Sequence, residues 1–138
     1  EILKILPKGD SNKVLPAPAT ETLKYVRNSF FAVKVTFANQ VYDLCHSLGV
    51  NYNDLKDIMA DDPWIGANHL HVEHKGYRGF GGKCLPKDLK TFIKVFKANK
   101  VTPALFEAVD QINEKLLKEQ MLTETLNKYW LNNSNPKK

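Results

Sequence analysis

From Leu23 onward, apolar side chains recur at Leu23, Val26, Phe30, Val33, Phe37, Val41, Leu44 and Leu48. Steps of three and four residues place all of them on one face of an α-helix. Thr20 offers a capping hydroxyl at the start, Glu21 puts a negative charge in the first turn, and Gly49 closes the run as a C-cap. At ~1.5 Å per residue, a helix of about 28 residues is ~42 Å long. A second, partly apolar row of Phe31, Val35, Ala38 and Tyr42 runs beside the first. A chain of 138 residues is too short to cover both rows. The pattern therefore predicts a partner for this helix, either another subunit or further domains.

The remaining punctuation predicts shorter helices. Residues 1–19 hold Pro7, Pro16 and Pro18 with Gly9, Asp10, Ser11 and Asn12, which reads as an extended connector or a turn between short strands. A second helix is expected from Asn53 to Ala60, with Leu55, Ile58 and Met59 facing inward, ended by Asp61-Asp62-Pro63. Residues 63–83 contain five of the seven glycines and no clear period, which predicts a long functional loop. Pro86 suits the first turn of a third helix through Leu89, Phe92, Ile93 and Phe96 to Asn99. Pro103 opens a fourth, with Leu105, Val109, Ile112 and Leu116 inward, continuing towards Trp130. The expected fold class is all-α: residues 1–19 as connector, 20–100 as a central helical domain built on one long helix, and 101–138 as a helix leading onward.

Bulk properties narrow the function. The hydrophobic fraction is 43% and the charged fraction 25%, ordinary for a globular protein. No apolar run approaches the ~20 residues of a membrane span, and Glu1-Ile2-Leu3-Lys4 does not resemble a signal peptide. The opening reads as that of an excised piece. A cytoplasmic protein without a membrane role is expected, with Cys45 and Cys84 as thiols. The net charge of +5 suits an anionic ligand, but the lysines are scattered. Without a nucleic-acid motif beside them, a nucleic-acid partner is not expected.

The stretch with most chemical content is Gly79-Phe80-Gly81-Gly82-Lys83-Cys84-Leu85-Pro86-Lys87-Asp88. Glycines let backbone approach a ligand closely. Cys84 falls at a helix start, where unpaired N–H groups favour a thiolate, and Lys83 and Lys87 add positive charge. On the residues alone two readings stand: an activated nucleophile, or a structural cysteine buried after a tight turn.

This run resembles the active-site signature of the UDP-glucose/GDP-mannose dehydrogenase family: glycine, aromatic, two glycines, any residue, cysteine, apolar residue, proline, lysine, aspartate. The resemblance continues upstream in Glu21-Thr22-Leu23-Lys24-Tyr25-Val26-Arg27-Asn28-Ser29-Phe30 and downstream in Ala108-Val109-Asp110-Gln111-Ile112-Asn113, so residues 20–115 are covered in order. It implies the helical central, dimerisation domain of an NAD-dependent enzyme that oxidises C6 of a nucleotide sugar to a carboxylate, with homodimer formation through the long helix. The flanking Rossmann-type domains of that family have no counterpart here, since no strand-borne Gly-x-Gly-x-x-Gly occurs. Carried over residue by residue, Cys84 is the nucleophile, Lys24 and Asn28 stabilise an oxyanion, and Asp88 orients water or a lysine. The backbone at Gly81 and the segment at His69 and Leu70 bind substrate, and Lys87 sits near the cofactor. No metal is implied.

Two departures stand out. The family's Arg-Ile-Gly triplet is Trp64-Ile65-Gly66 here, and an indole does not replace a guanidinium fork. The interval from Trp64 to Cys84 is also some four residues longer than the family pattern and includes Lys75, Tyr77 and Arg78; either Arg78 supplies the lost charge, or Trp64 marks altered substrate choice or reduced activity. UDP-glucose is the leading substrate. UDP-N-acetylhexosamines, GDP-mannose, or a purely dimerising role for the isolated chain are the alternatives.

Overall fold

The computed structural model describes residues 13–120. Four helices, α1 (Ala17–Leu48), α2 (Tyr52–Asp61), α3 (Leu85–Ala98) and α4 (Ala104–Glu119), are accompanied by one two-stranded hairpin of β1 (Glu73–His74) and β2 (Tyr77–Arg78), which joins α2 to α3. The fold is all-α apart from that hairpin. The connector at residues 1–12 and the continuation to Trp130 lie outside the described residues.

Helix α1 begins earlier than its apolar pattern implied. Pro16 occupies the N-cap and Pro18 lies in the first turn, where a missing N–H costs nothing. Thr20 is therefore not the cap: its N–H and its hydroxyl both donate to the Pro16 carbonyl, and Glu21 lies beyond the first turn. The C-terminus ends as expected. Gly49 takes the left-handed conformation (φ 68°), and the Val50 N–H returns to the Cys45 carbonyl at 2.9 Å, a Schellman closure.

The faces of α1 are sorted in an informative way. The core side is Ser29, Ala32, Val35, Thr36, Ala38, Asn39 and Cys45, small enough to let α3 and α4 approach closely. Of the periodic stripe, Leu23, Val26, Phe30, Phe37, Leu44 and Leu48 are left 43–67% exposed, whereas Val33 and Val41 pack against the core clusters. Four short elements cover one side of a long helix, and the larger apolar side remains bare.

Two clusters make the interior. Ala32, Val35, Phe80, Leu89, Ile93 and Val109 form the first, which brings the glycine loop into the core through Phe80. Phe92, Phe96 and Phe106 extend it, with ring centroids 4.8–5.3 Å apart. Ala38, Cys45 and Tyr52 form the second, with Met59 packed against it.

Two inward-facing sets differ from expectation. In α2, Met59 packs inward, but Leu55 and Ile58 are exposed, and the buried anchor is Tyr52, whose hydroxyl donates to the Leu70 carbonyl at 2.7 Å. In α4, Val109 is buried, but Leu105 is exposed, and the buried row is Val109, Asn113 and Leu117. Polar groups that satisfy loop backbone set the rotation of both helices, and an apolar pattern does not register them.

Candidate active site

The first turn of α3 carries the site. Cys84 is its N-cap and is exposed, whereas Cys45 is buried in α1; both are free thiols. One turn on, the Asp88 N–H donates to the Cys84 carbonyl at 2.9 Å. Asp88 itself is 1% exposed and faces α1.

Three side chains converge on that carboxylate. The Asn28 amide donates to one Asp88 oxygen at 2.5 Å, and the Lys87 ammonium donates to the other. Lys24, one turn before Asn28 on α1, stands 3.9 Å from the oxygen that Asn28 holds. Burial alone would raise the Asp88 pKa. The hydrogen bonds from Lys87 and Asn28, with the charges of Lys87 and Lys24, outweigh burial and hold it below the usual carboxylate value. The Lys87 pKa rises in turn, chiefly through its hydrogen bond to Asp88. Lys24, Asn28, Lys87 and Asp88 thus form one charged cluster directly behind the exposed Cys84.

The approach to Cys84 is fixed by α4. Asn113 pairs with Phe80 in both directions: its oxygen accepts the Phe80 N–H at 2.8 Å and its amide donates to the Phe80 carbonyl at 2.9 Å. Seven residues on, Gln120 repeats the pattern with Arg78, at 2.9 and 3.0 Å. Side-chain amides here do the work of a neighbouring strand. Gly79 lies between the two rungs at φ 91°, and a Cβ there would meet Asn113 Oδ1 at 2.7 Å, so no larger residue fits.

The other expected residues lie farther along the loop. His69 adopts φ 67° and stacks on Phe31 at 4.1 Å, with Arg27 over the same phenyl ring. The Leu70 side chain is buried and its carbonyl is taken by Tyr52. Arg78 is engaged on α1: Nε donates to Asn39 Oδ1 at 3.0 Å, a terminal nitrogen bonds Asp43 at 2.6 Å, and the guanidinium lies over Tyr42. Trp64 is 95% exposed, on a loop held by Lys34, which donates to the Ile65 and Gly66 carbonyls. Gly81 lines a cavity of about 350 Å³ together with His69, His71, His74, Tyr77 and Leu85.

Sequence reading missed Asn113, Gln120 and the hairpin that carries His74 and Tyr77. The signal for the hairpin was Lys75-Gly76 inside the glycine-rich stretch. Both adopt positive φ (56° and 82°), a two-residue turn whose twist suits the flanking strands.

The family model for the central domain of the UDP-glucose/GDP-mannose dehydrogenase family matches residues 18–115. The chain belongs to that family. A UDP-glucose 6-dehydrogenase of Rickettsia prowazekii is 33% identical over 110 residues, which is 80% of this chain and 24% of the relative. One from Bacillus subtilis is 34% identical over 97 residues, covering 70% and 20%. A solved UDP-glucose dehydrogenase from the hyperthermophilic archaeon Pyrobaculum islandicum superposes with a TM-score of 0.64 at 34% identity, over 78% of this chain and 24% of that one. The chain thus spans about a quarter of the length of these dehydrogenases. Within the family domain, the matched region takes in the whole Lys24–Asn28–Lys87–Asp88 cluster and Cys84. No helix among the described residues is long and apolar enough to cross a membrane.

Proposed function

We propose that this chain carries the thiol centre of an NAD-dependent UDP-glucose 6-dehydrogenase, oxidising UDP-glucose to UDP-glucuronate. The observation that carries the reading is the buried Asp88, tied to Asn28, Lys87 and Lys24 one turn behind an exposed cysteine. NAD supplies the acceptor for the two hydrides. The two strands among the described residues pair antiparallel and no parallel strand–helix–strand unit occurs there, so these residues by themselves do not fit its pyrophosphate. Lys87, half out in solvent at the helix start, is the residue assigned to the cofactor's neighbourhood.

The need for a thiol is chemical. Oxidation of the C6 alcohol yields an aldehyde, which has no hydroxyl to oxidise further. The Cys84 sulfur adds to the aldehyde carbon, and its carbonyl oxygen becomes the oxygen of a thiohemiacetal. Loss of hydride from that carbon leaves a thioester. Water then cleaves the carbon–sulfur bond, giving the carboxylate and returning the thiol. Negative charge on the C6-derived oxygen develops in each step. Lys24 and the second amide hydrogen of Asn28 are the donors for it. Asp88 positions both, and orients water or a lysine for hydrolysis.

The same reading makes the chain a cytoplasmic homodimer through the bare stripe of α1. The segment at His69 and Leu70 and the Gly81 backbone touch the nucleotide sugar. Arg78 replaces the family's arginine in this scheme, and its bonds to Asp43 and Asn39 mean that it reaches substrate only by releasing them. The exposed Trp64 in place of that arginine favours testing UDP-N-acetylhexosamines and GDP-mannose beside UDP-glucose.

The test is Cys84→Ser in a complete dehydrogenase carrying this chain, following single-turnover NADH formation and uronate together. The expected result is a first hydride transfer that survives and uronate formation lowered at least about a hundredfold, because a serine hydroxyl adds poorly and leaves poorly. Uronate production at the wild-type rate would falsify the thioester route.

A further inference from the structure

Asp88 does not hold its three donors equally. Asn28 and Lys87 hydrogen-bond its oxygens, whereas the Lys24 ammonium stands 3.9 Å away, beyond hydrogen-bond distance, on a side chain that is 59% exposed. A lysine so placed is a charge on a flexible stem, and one ion pair facing water does not remove its rotamer freedom. Stabilising an oxygen in a transition state requires a donor that is already in place. Lys24 therefore needs a second contact to serve as one.

The neighbouring ring supplies that contact. The Lys24 ammonium lies over Tyr25, 5.7 Å from the ring centroid, so a phenol and a carboxylate bear on the same charge. The ring is itself fixed. Tyr25 is half-buried, and its hydroxyl donates to Glu21, one turn earlier on α1, at 3.3 Å. Burial, then the charge of Glu21 and that hydrogen bond, raise the Tyr25 pKa, which keeps the hydroxyl a donor. Lys87 and Asp88 act on the same hydroxyl, so the ring stands beside the charged cluster. The hydrogen bond has another consequence. Glu21 and Lys24 are three residues apart, a spacing at which opposite charges on a helix pair, yet no ion pair joins them among the described residues. Glu21 turns to Tyr25, and Lys24 to Asp88.

We propose that Tyr25 is a positioning residue for the dehydrogenase reaction: its ring face steadies the Lys24 ammonium beside Asp88, and its hydroxyl draws Glu21 away from that ammonium. Tyr25 touches no reacting atom in this scheme and acts through Lys24. The inference rests on the oxyanion role given to Lys24 above, and it adds Glu21 and Tyr25 to the residues on which that role depends.

The experiment is a double-mutant cycle in a complete dehydrogenase carrying this chain, read as the single-turnover rate of the first hydride transfer, a step that needs no thiol. Tyr25→Leu should lower that rate about three- to fivefold, the weight of one exposed cation–π contact, with KM for the nucleotide sugar unchanged. In a Lys24→Ala background the same substitution should change nothing further. Tyr25→Phe keeps the ring but releases Glu21, so it should give a smaller loss, and adding Glu21→Gln should restore the rate. Equal losses from Tyr25→Leu in both backgrounds, or a wild-type rate in Tyr25→Leu, would overturn the proposal. A second measurement uses the chain with its lysines dimethylated, which keeps their charge. The Lys24 methyl resonance, identified by its loss in Lys24→Arg, should lie upfield of its position in Tyr25→Leu because of the ring beneath it. An identical position in the two would likewise overturn the proposal. That measurement involves no turnover, so its outcome and that of the Cys84 test are independent. A wild-type rate in Lys24→Ala, by contrast, would remove the oxyanion donor and the proposal together.

Discussion

Asp88 is a buried carboxylate whose partners come from two helices, Asn28 and Lys24 from α1 and Lys87 from α3. Such a group is costly to bury unless it is paired and hydrogen-bonded, and here it is both. Its folded pKa is depressed, against an unfolded value of about 3.9. Its contribution to stability is therefore complete above about pH 4 and is lost as pH falls through the folded value. Urea unfolding of the wild-type chain and Asp88→Asn should show a gap that is the same at about pH 7 and about pH 5 and narrows towards about pH 3. A gap that widens on acidification would mean that Asp88 is protonated in the folded chain. The same substitution in a complete enzyme should lower uronate formation at least about tenfold, since Asn28 and Lys24 lose the charge that aims them.

Among the elements, α4 acts as the surrogate edge of a sheet. Asn113 in α4 and Gln120 just past its end pair with the main chain at Phe80 and Arg78, on either side of Gly79. The consequence reaches the thiol, because Phe80 is a core residue and Gly81-Gly82-Lys83 is all that separates it from Cys84. Asn113→Ala leaves a buried N–H and a buried carbonyl without partners, which costs about 1–3 kcal/mol. The midpoint of urea unfolding should fall accordingly, and Gln120→Ala, at a less buried rung, should cost less. An Asn113→Ala midpoint equal to wild type would show that water replaces the amide and that the rung does not hold the loop.

At the scale of the molecule, the bare stripe of α1 is the dominant surface feature. Leu23, Val26, Phe30, Phe37, Leu44 and Leu48 are aligned over most of a helix of 32 residues, and a row of exposed apolar groups this long marks an association surface. Symmetric pairing buries the same stripe from both copies. Sedimentation of the chain should report a dimer, and Phe30→Glu together with Phe37→Lys should give a monomer with unchanged helical content. Each phenyl removed from a buried interface should weaken pairing by more than tenfold, from the ~1.5–3 kcal/mol that burying such a ring contributes. A wild-type chain that stays monomeric at tens of micromolar (about −6 kcal/mol of association or weaker) would count against pairing through α1.

The helices, their C-terminal stop at Gly49, and the placement of Cys84 at a helix start were all legible in the sequence, because they follow from local causes: apolar period, proline geometry and glycine caps. The surplus of apolar surface on α1 was legible too, since it is a matter of helix length against chain length. Lys24 and Asn28 could be assigned to the site only through the family motif, as nothing in their own spacing distinguishes them from a solvated helix face. The tertiary structure decided the rest. Which side of α1 became core depended on how closely α3 and α4 approach, and the small residues Ser29, Ala32 and Ala38 won over the larger periodic stripe. The rotation of α2 and α4 was set by Tyr52, Asn113 and Gln120, polar groups that satisfy loop backbone and carry no hydrophobic signal. The convergence of Asn28 on Asp88 spans 60 residues of sequence. Contacts of that range are made by packing of whole helices, which a periodicity read within a single helix does not contain.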